Sequence, residues 1–517
     1  IRGGTFEETL IMIDGVKISD PQTGHHNLNL PLIPDNIERI EILKGQGSRV
    51  FGPNAFGGAV NIITRKEKGS SLQLSLLAGE HNLYNLAFTS SYPVGIFGNN
   101  FSFSKKKSDG YRHNTNFDIT TFSLSQNVSL TEHTVNIFFG YIDKKFGANN
   151  YYSDLFPNQW EHTTTKMLNV AAGFGKDKFI VSPKIFWRRN DDNYILDYSR
   201  PDFYHNIHKT YSYGGELQSS IKTNFGTTTL GGEINKEEIN SRNLGSHSRL
   251  KSGIFGEQFF EPIDFLSVSL GFFAYNYSNT GWKFWPGFDA AYKISKDTKI
   301  FVSYGKAFRI PTYTDLYYVG PANLGNPNLT YETTTNYETG FNISRTFFES
   351  NISIFYKDGK NIIDWARASA SEPWRVENVT NVKTIGSEFS LTLFPQELLY
   401  LLPFTKLKIN YTYLSVERST GVYESKYLLD NLRHQLILNV DNKLPFGLKQ
   451  NWSFILRSRV NFESQFTVDT QISTHLKDFA LFLRATNLFN KLHKDFPRVV
   501  LPGRWITAGI KYSLTGY

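Results

Sequence analysis

Thr405–Tyr413 reads Thr-Lys-Leu-Lys-Ile-Asn-Tyr-Thr-Tyr, with Leu407, Ile409, Tyr411 and Tyr413 on one face and Lys406, Lys408, Asn410 and Thr412 on the other. Period two is the signature of a strand with one apolar and one polar side. Ile506–Tyr512 repeats it, and similar runs recur near residues 72–77, 119–130, 298–304, 350–356, 386–393 and 433–440. Short Gly, Asn and Pro turns separate them, as at Asp441–Gly447. Longer polar stretches rich in Tyr, Trp and Asn, at Lys144–Thr165 and Ala366–Val382, read as outer loops.

Composition says which medium the apolar faces meet. The chain has 517 residues, 40% of them hydrophobic, and a mean hydropathy of −0.34. No run approaches the ~18 consecutive apolar residues that a membrane-spanning helix requires, so a helical membrane protein is excluded. The 43 Phe, 28 Tyr and 8 Trp exceed what a soluble core needs and suit aromatic girdles at two bilayer interfaces. A soluble propeller or sandwich would show fewer aromatics and a regular blade repeat, which is absent. The expected fold is therefore an all-β membrane protein, an antiparallel transmembrane β-barrel. About 450 residues shared among roughly 22 strands of 9 to 11 residues suit such a barrel, and one that wide needs a plug in its lumen. With no Cys, disulfides and thiolate chemistry are excluded. The net charge of +8 comes from scattered Lys and Arg rather than a patch, which argues against nucleic acid.

Residues 1–66 differ from the rest. Compact apolar runs at Leu10–Ile13, Ile37–Leu43 and Ala59–Ile63 read as a small mixed α/β unit packed on itself, followed by the barrel over 67–517. Here Ile13-Asp14-Gly15-Val16, Ile37 to Gly45 (Ile-Glu-Arg-Ile-Glu-Ile-Leu-Lys-Gly) and Phe51 to Thr64 (Phe-Gly-Pro-Asn-Ala-Phe-Gly-Gly-Ala-Val-Asn-Ile-Ile-Thr) resemble the plug signature of TonB-dependent receptors. Ala307-Phe308-Arg309-Ile310-Pro311-Thr312, Gly325-Asn326-Pro327-Asn328-Leu329 and Asn487-Leu488-Phe489-Asn490 resemble the same family's barrel motifs. Gln46 and Tyr331 stand where the family commonly has proline. Tyr517 is out of phase with the last outward-facing residues, Ile510 and Tyr512.

The resemblance implies a receptor in the outer membrane of a gram-negative bacterium. It also implies that the chain carries only the C-terminal part of its plug, because the family's plug begins earlier and follows the segment that contacts TonB. Parity in the strands points Glu338 and Glu388 into the lumen. The resemblance implies that they pair with the plug's Arg2 and Lys44 as a plug–barrel lock.

Four segments look most like the cobalamin (vitamin B12) receptors of the family: Asp20–Asn27, Phe156–Glu161, Asn361–Trp365 and Pro502–Trp505. A large, amide-rimmed corrinoid would suit Gln22, Thr23, His25, His26 and Asn27 at the plug apex, with aromatic walls from Trp365 and Trp374. A ferric siderophore or haem receptor is the alternative within the family, although no residues here show metal-ligand spacing, and no cofactor is called for. The resemblance leaves calcium and a surface lipoprotein open. A simple porin is disfavoured by the plug signature. An outer-membrane barrel enzyme is the distant alternative, with no Gly-x-Ser-x-Gly, His-Glu-x-x-His or phosphate loop to support it.

Overall fold

A strand in lipid must hydrogen-bond along both edges, because nothing in hydrocarbon replaces water as a partner. The computed structural model meets this by closure. It describes residues 1–515 except 46, 67–68, 153–154, 278–280, 322, 370, 419–423, 426–430 and 495–498; Gln46 and Tyr517 thus lie outside the described residues. Twenty-two strands of 8 to 20 residues run antiparallel, each paired with its neighbours in sequence. The last, Trp505–Thr515, pairs with the first, Ser71–Gly79, placing Ile510 opposite Leu76. Two-residue strands at Asn323–Leu324 and Glu424–Ser425 add to the outer rim. Among the described residues no helix is long and apolar enough to cross a membrane.

The alternation seen in Thr405–Tyr413 becomes two surfaces. Tyr411 lies opposite Phe389 on one neighbouring strand and Leu436 on the other, and Ile409 lies opposite Leu391 and Leu438. Around the wall Leu76, Leu86, Leu124, Ile185, Ile234, Ile254 and Ile354 are exposed on the outside, the belt expected of a lipid-facing barrel. Residues of the other parity point inward, as does Leu414, which is buried.

Strand length departs from the expected 9 to 11 residues. Phe348–Arg367 and Trp374–Leu393 each have 20 residues, a contour of roughly 65 Å at ~3.3 Å per residue, whereas the lipid-facing band is ~25 Å tall. The surplus stands above the membrane. The polar stretches read as loops are therefore partly strand: His133–Gly147 and Trp160–Lys176 take in the two ends of Lys144–Thr165, and the described residues between them form a loop. At those ends polarity marked height above the bilayer rather than loss of structure.

Inside sits a four-stranded sheet in the order β2-β1-β4-β3, made of β1 (Thr9–Ile13), β2 (Val16–Ile18), β3 (Ile37–Lys44) and β4 (Gly58–Thr64). Asp14 and Gly15, both at positive φ, turn β1 into β2, as an Asp-Gly hairpin does. Asp14 also accepts hydrogen bonds from the Thr64 backbone and hydroxyl, at 2.9 and 2.6 Å. β1 is paired on both sides and buried on both faces. Leu10 and Met12 pack on Ala55 and Ala59, while Ile13 and Ile18 pack on Phe138 and Met167 of the wall. β3 differs from the expected self-packed unit: Ile40 and Ile42 are exposed, because β3 is an edge strand paired only with β4.

The plug touches the wall closely at α1 (Ser48–Phe51). Gly52 follows at φ +74°, and a Cβ there would lie 2.9 Å from the Phe273 ring. Phe273 is fully buried and stacked on Phe255, so it has little room to yield. Gly52→Ala is expected to weaken plug seating by about 1–3 kcal/mol through strained backbone and overpacking. The measurement is the urea concentration at which trypsin first cuts at exposed Arg39, with barrel mobility on unheated gels as the control. An unchanged onset would mean that the close contact carries no energy.

Candidate functional site

The plug apex is shaped by side chains that fold the loop onto itself. Asn27 accepts from the Asp20 backbone at 2.8 Å and Asp20 from the Gln22 backbone at 2.9 Å. Thr23 caps the 3-10 turn Gly24–Leu28. The loop is tied to the wall by Tyr313 and Thr314, whose N–H groups donate to Pro21 and Gln22 carbonyls at 2.8 and 3.1 Å. Arg188 of the wall donates to Asp20 at 2.5 Å and to the His26 carbonyl at 3.1 Å.

Above this loop an open cavity lies between plug and wall. Gln22, Thr23, His25 and His26 line it from the plug, and Trp365, Tyr151, Tyr152, Tyr194 and Tyr318 line it from the wall and rim. His25 sits edge-on to Tyr151 and Tyr152, with its Nδ1 3.1 Å from the Tyr151 hydroxyl.

Two expected contacts fall elsewhere. Asn27 is buried and occupied with the Asp20 backbone, so it shapes the loop rather than facing the cavity. Trp374 does not line the cavity; the Arg367 guanidinium lies over its ring at 4.3 Å. The tyrosines were missed, although the Tyr151-Tyr152 pair within a polar stretch was a readable signal.

The floor carries a cluster that spacing did not reveal. His26 Nε2 lies 3.2 Å from Glu161 and 3.9 Å from Asp192, and all three residues are buried. Thirty-one positions separate the two carboxylates, which is why no ligand spacing was legible. Burial disfavours the imidazolium, but the Glu161 hydrogen bond and the nearby Asp192 and Asp20 outweigh it and raise the pKa of His26 above its ordinary value.

Deeper in the lumen the four residues named for the lock meet. Arg2 donates to both Glu338 oxygens at 2.9 and 2.6 Å and to Glu388 at 3.0 Å. Lys44 reaches Glu388 at 3.1 Å. Arg2 also lies 4.1 Å above the Phe355 ring, and its side chain is 5% exposed while that of Lys44 is 50% exposed.

The model of the TonB dependent receptor-like β-barrel family matches residues 43–490, and that of the TonB-dependent receptor plug domain matches residues 1–59. Among curated relatives, the vitamin B12 transporter BtuB of Vibrio vulnificus (strain YJ016) is 25% identical over 416 residues, which is 75% of this chain and 65% of the relative. BtuB of Photobacterium profundum is 24% identical over 413 residues, with the same shares. The chain thus spans just under two thirds of the length of these relatives. Among solved structures, the copper transporter OprC superposes with a TM-score of 0.84 at 13% identity, covering 99% of this chain and 91% of that one. A mutant of the ferric enterobactin receptor PfeA of Pseudomonas aeruginosa does so at 0.82 and 18%, covering 99% and 92%. These structural likenesses concern the fold.

Replacing Glu338 and Glu388 together by Gln would leave the Arg2 charge buried without a counter-charge, which costs roughly 3–5 kcal/mol in comparable sites. The expected result is a marked fall in the urea midpoint of the plug, whereas Lys44→Ala costs under about 1 kcal/mol because that pair is half in solvent. Equal effects of the two changes would remove the case for an Arg2-centred lock.

Proposed function

The chain belongs to the TonB-dependent receptor family of the outer membrane, and from that premise we propose that it captures cobalamin or a related corrinoid and imports it with energy delivered through TonB. The observation that carries this reading is the cavity at the plug apex. Its lining combines amide, hydroxyl and imidazole groups with aromatic walls, contributed by plug and wall together. A corrinoid presents the matching surface, a broad macrocycle rimmed with amides. The two vitamin B12 transporters among the relatives support the same choice.

Gln22, Thr23 and His25 belong to the plug, and Trp365 and Tyr194 to the wall, so one ligand touches both bodies at once. A ligand that binds one arrangement of the two more tightly shifts the equilibrium by that difference and no more. Release into the periplasm then requires work on the plug. The Arg2, Glu338 and Glu388 group suits such work: an ion pair in a partly dried lumen is strong while its geometry holds and can be rehydrated once the partners part.

A second reading, a ferric siderophore or haem receptor, is favoured by one observation, the imidazole and two carboxylates on the cavity floor. Neither reading assigns a catalytic step to the chain.

Calorimetry of the detergent-purified protein with cyanocobalamin, run beside a panel of ferric siderophores, separates the two. We expect saturable cyanocobalamin binding that His25→Ala and Trp365→Ala each weaken at least tenfold. Capture of an iron chelate with no cobalamin binding would discard the corrinoid and keep the receptor.

A further inference from the structure

We infer that His26, Glu161 and Asp192 form a binding site for a divalent transition-metal ion of zinc-like character, with one coordination position open to the apex cavity. The ligand atoms lie within 4.8 Å of one another. A tetrahedral ion with bonds of ~2.0–2.1 Å has ligand–ligand edges of ~3.3 Å. The His26–Glu161 distance of 3.2 Å already matches, the His26–Asp192 distance of 3.9 Å needs to close by about 0.6 Å, and the Glu161–Asp192 edge lies within 4.8 Å.

The hydrogen bonding around the cluster is incomplete, leaving acceptor capacity on one of its carboxylates. Asp192 accepts from the Gln22 amide at 2.7 Å with Oδ2, the oxygen nearest His26, which keeps a second lone pair. Its other oxygen, and the Oε1 of Gln22, are buried acceptors that receive no donor among the described residues. The Asp192 side chain is 5% exposed, so such an orphan is costly unless something positive meets it. The neighbouring cations are committed elsewhere: Arg188 pairs with Asp20 and Lys144 donates to Asn29. Glu161 and Asp192 are left sharing one imidazole and the Tyr152 hydroxyl.

Ligand type selects the ion. Calcium and magnesium take all-oxygen sets, whereas an imidazole nitrogen with two carboxylates suits zinc, cobalt(II) or nickel. The second coordination sphere is also in place. His26 Nδ1 lies 3.1 Å from the Asn190 amide and 4.0 Å from Asp20. With the amide turned so that its oxygen faces the ring, Asn190 accepts the Nδ1 proton and leaves Nε2 for the metal.

The three ligands come from separate bodies. His26 belongs to the plug, and Glu161 and Asp192 lie on adjacent wall strands, Trp160–Lys176 and Phe179–Ile195. They share the inner face because Glu161 is opposite Tyr194, two residues from Asp192. An ion held here fastens plug to wall at the apex, and displacement of the plug removes its only nitrogen ligand.

The test uses the full chain in detergent with metal chloride alone, so it stands or falls independently of any corrinoid. Cobalt(II) is titrated and followed by its visible absorption, with zinc as competitor and calcium as control. Trypsin cleavage in urea, with and without zinc, reports the fastening, since an ion bound only by the seated plug stabilises it by mass action. We expect one cobalt per chain, displaced by zinc and not by millimolar calcium, and zinc protection of the plug. His26→Gln and Asp192→Asn should each weaken binding at least tenfold and abolish protection, while Tyr318→Phe in the same cavity changes neither. Absence of saturable cobalt binding, displacement by calcium, or unchanged affinity in His26→Gln would overturn the assignment. If both variants lose the folded barrel mobility, zinc protection of the unaltered protein decides: none overturns the site.

Discussion

The structure follows from the requirement that every backbone N–H and C=O within lipid find a partner on the chain itself. Strands such as Thr405–Tyr413 cannot stand alone there, and pairing Trp505–Thr515 with Ser71–Gly79 removes the last open edge. Closure with 22 strands fixes a lumen too wide for the wall's own side chains to fill. The plug therefore belongs to the same solution as the wall. Its β1, buried on both faces, has one face for the plug's own core and the other for Phe138 and Met167 of the wall.

What joins these two bodies includes ion pairs of both polarities. Plug cations meet wall carboxylates, as in Arg2 with Glu338 and Glu388, Lys17 with Glu233 and Arg49 with Asp289. Plug carboxylates meet wall cations, as in Asp20 with Arg188 and Asp35 with Lys511. Pairs of this kind add little net stability over apolar packing, yet they demand exact partners. Such an interface specifies one seated position without making the plug part of the wall's core. Apolar seams do exist, notably Phe56 against Ala307 and Ile362, but they are local.

The sequence disclosed the wall far better than the site. Period two survives in one dimension, so the inward direction of Glu338 and Glu388 could be read from Tyr337 and Phe389 beside them. The plug's Asp14-Gly15 turn was legible for the same local reason. Strand length was not, because residues above the bilayer stop alternating in polarity once both faces are wet, and Lys144–Thr165 then resembles loop. The cavity floor was hidden by distance along the chain: Glu161 and Asp192 become neighbours only through the register of two strands, and His26 joins them only when the plug is seated. Asn27 shows the converse error, a polar apex residue whose hydrogen bond is spent on its own loop.

The long strands have a consequence for how such a surface can change over generations. Where the rim is pleated sheet rather than loop, neighbouring residues belong to different environments: Glu161 and Asp192 face the cavity, while Ile207 on the next strand is exposed. A substitution at an outward position alters the outer surface, and one at the adjacent inward position alters the wall of the cavity. The pleat lets the outer surface and the cavity lining drift separately, one residue apart.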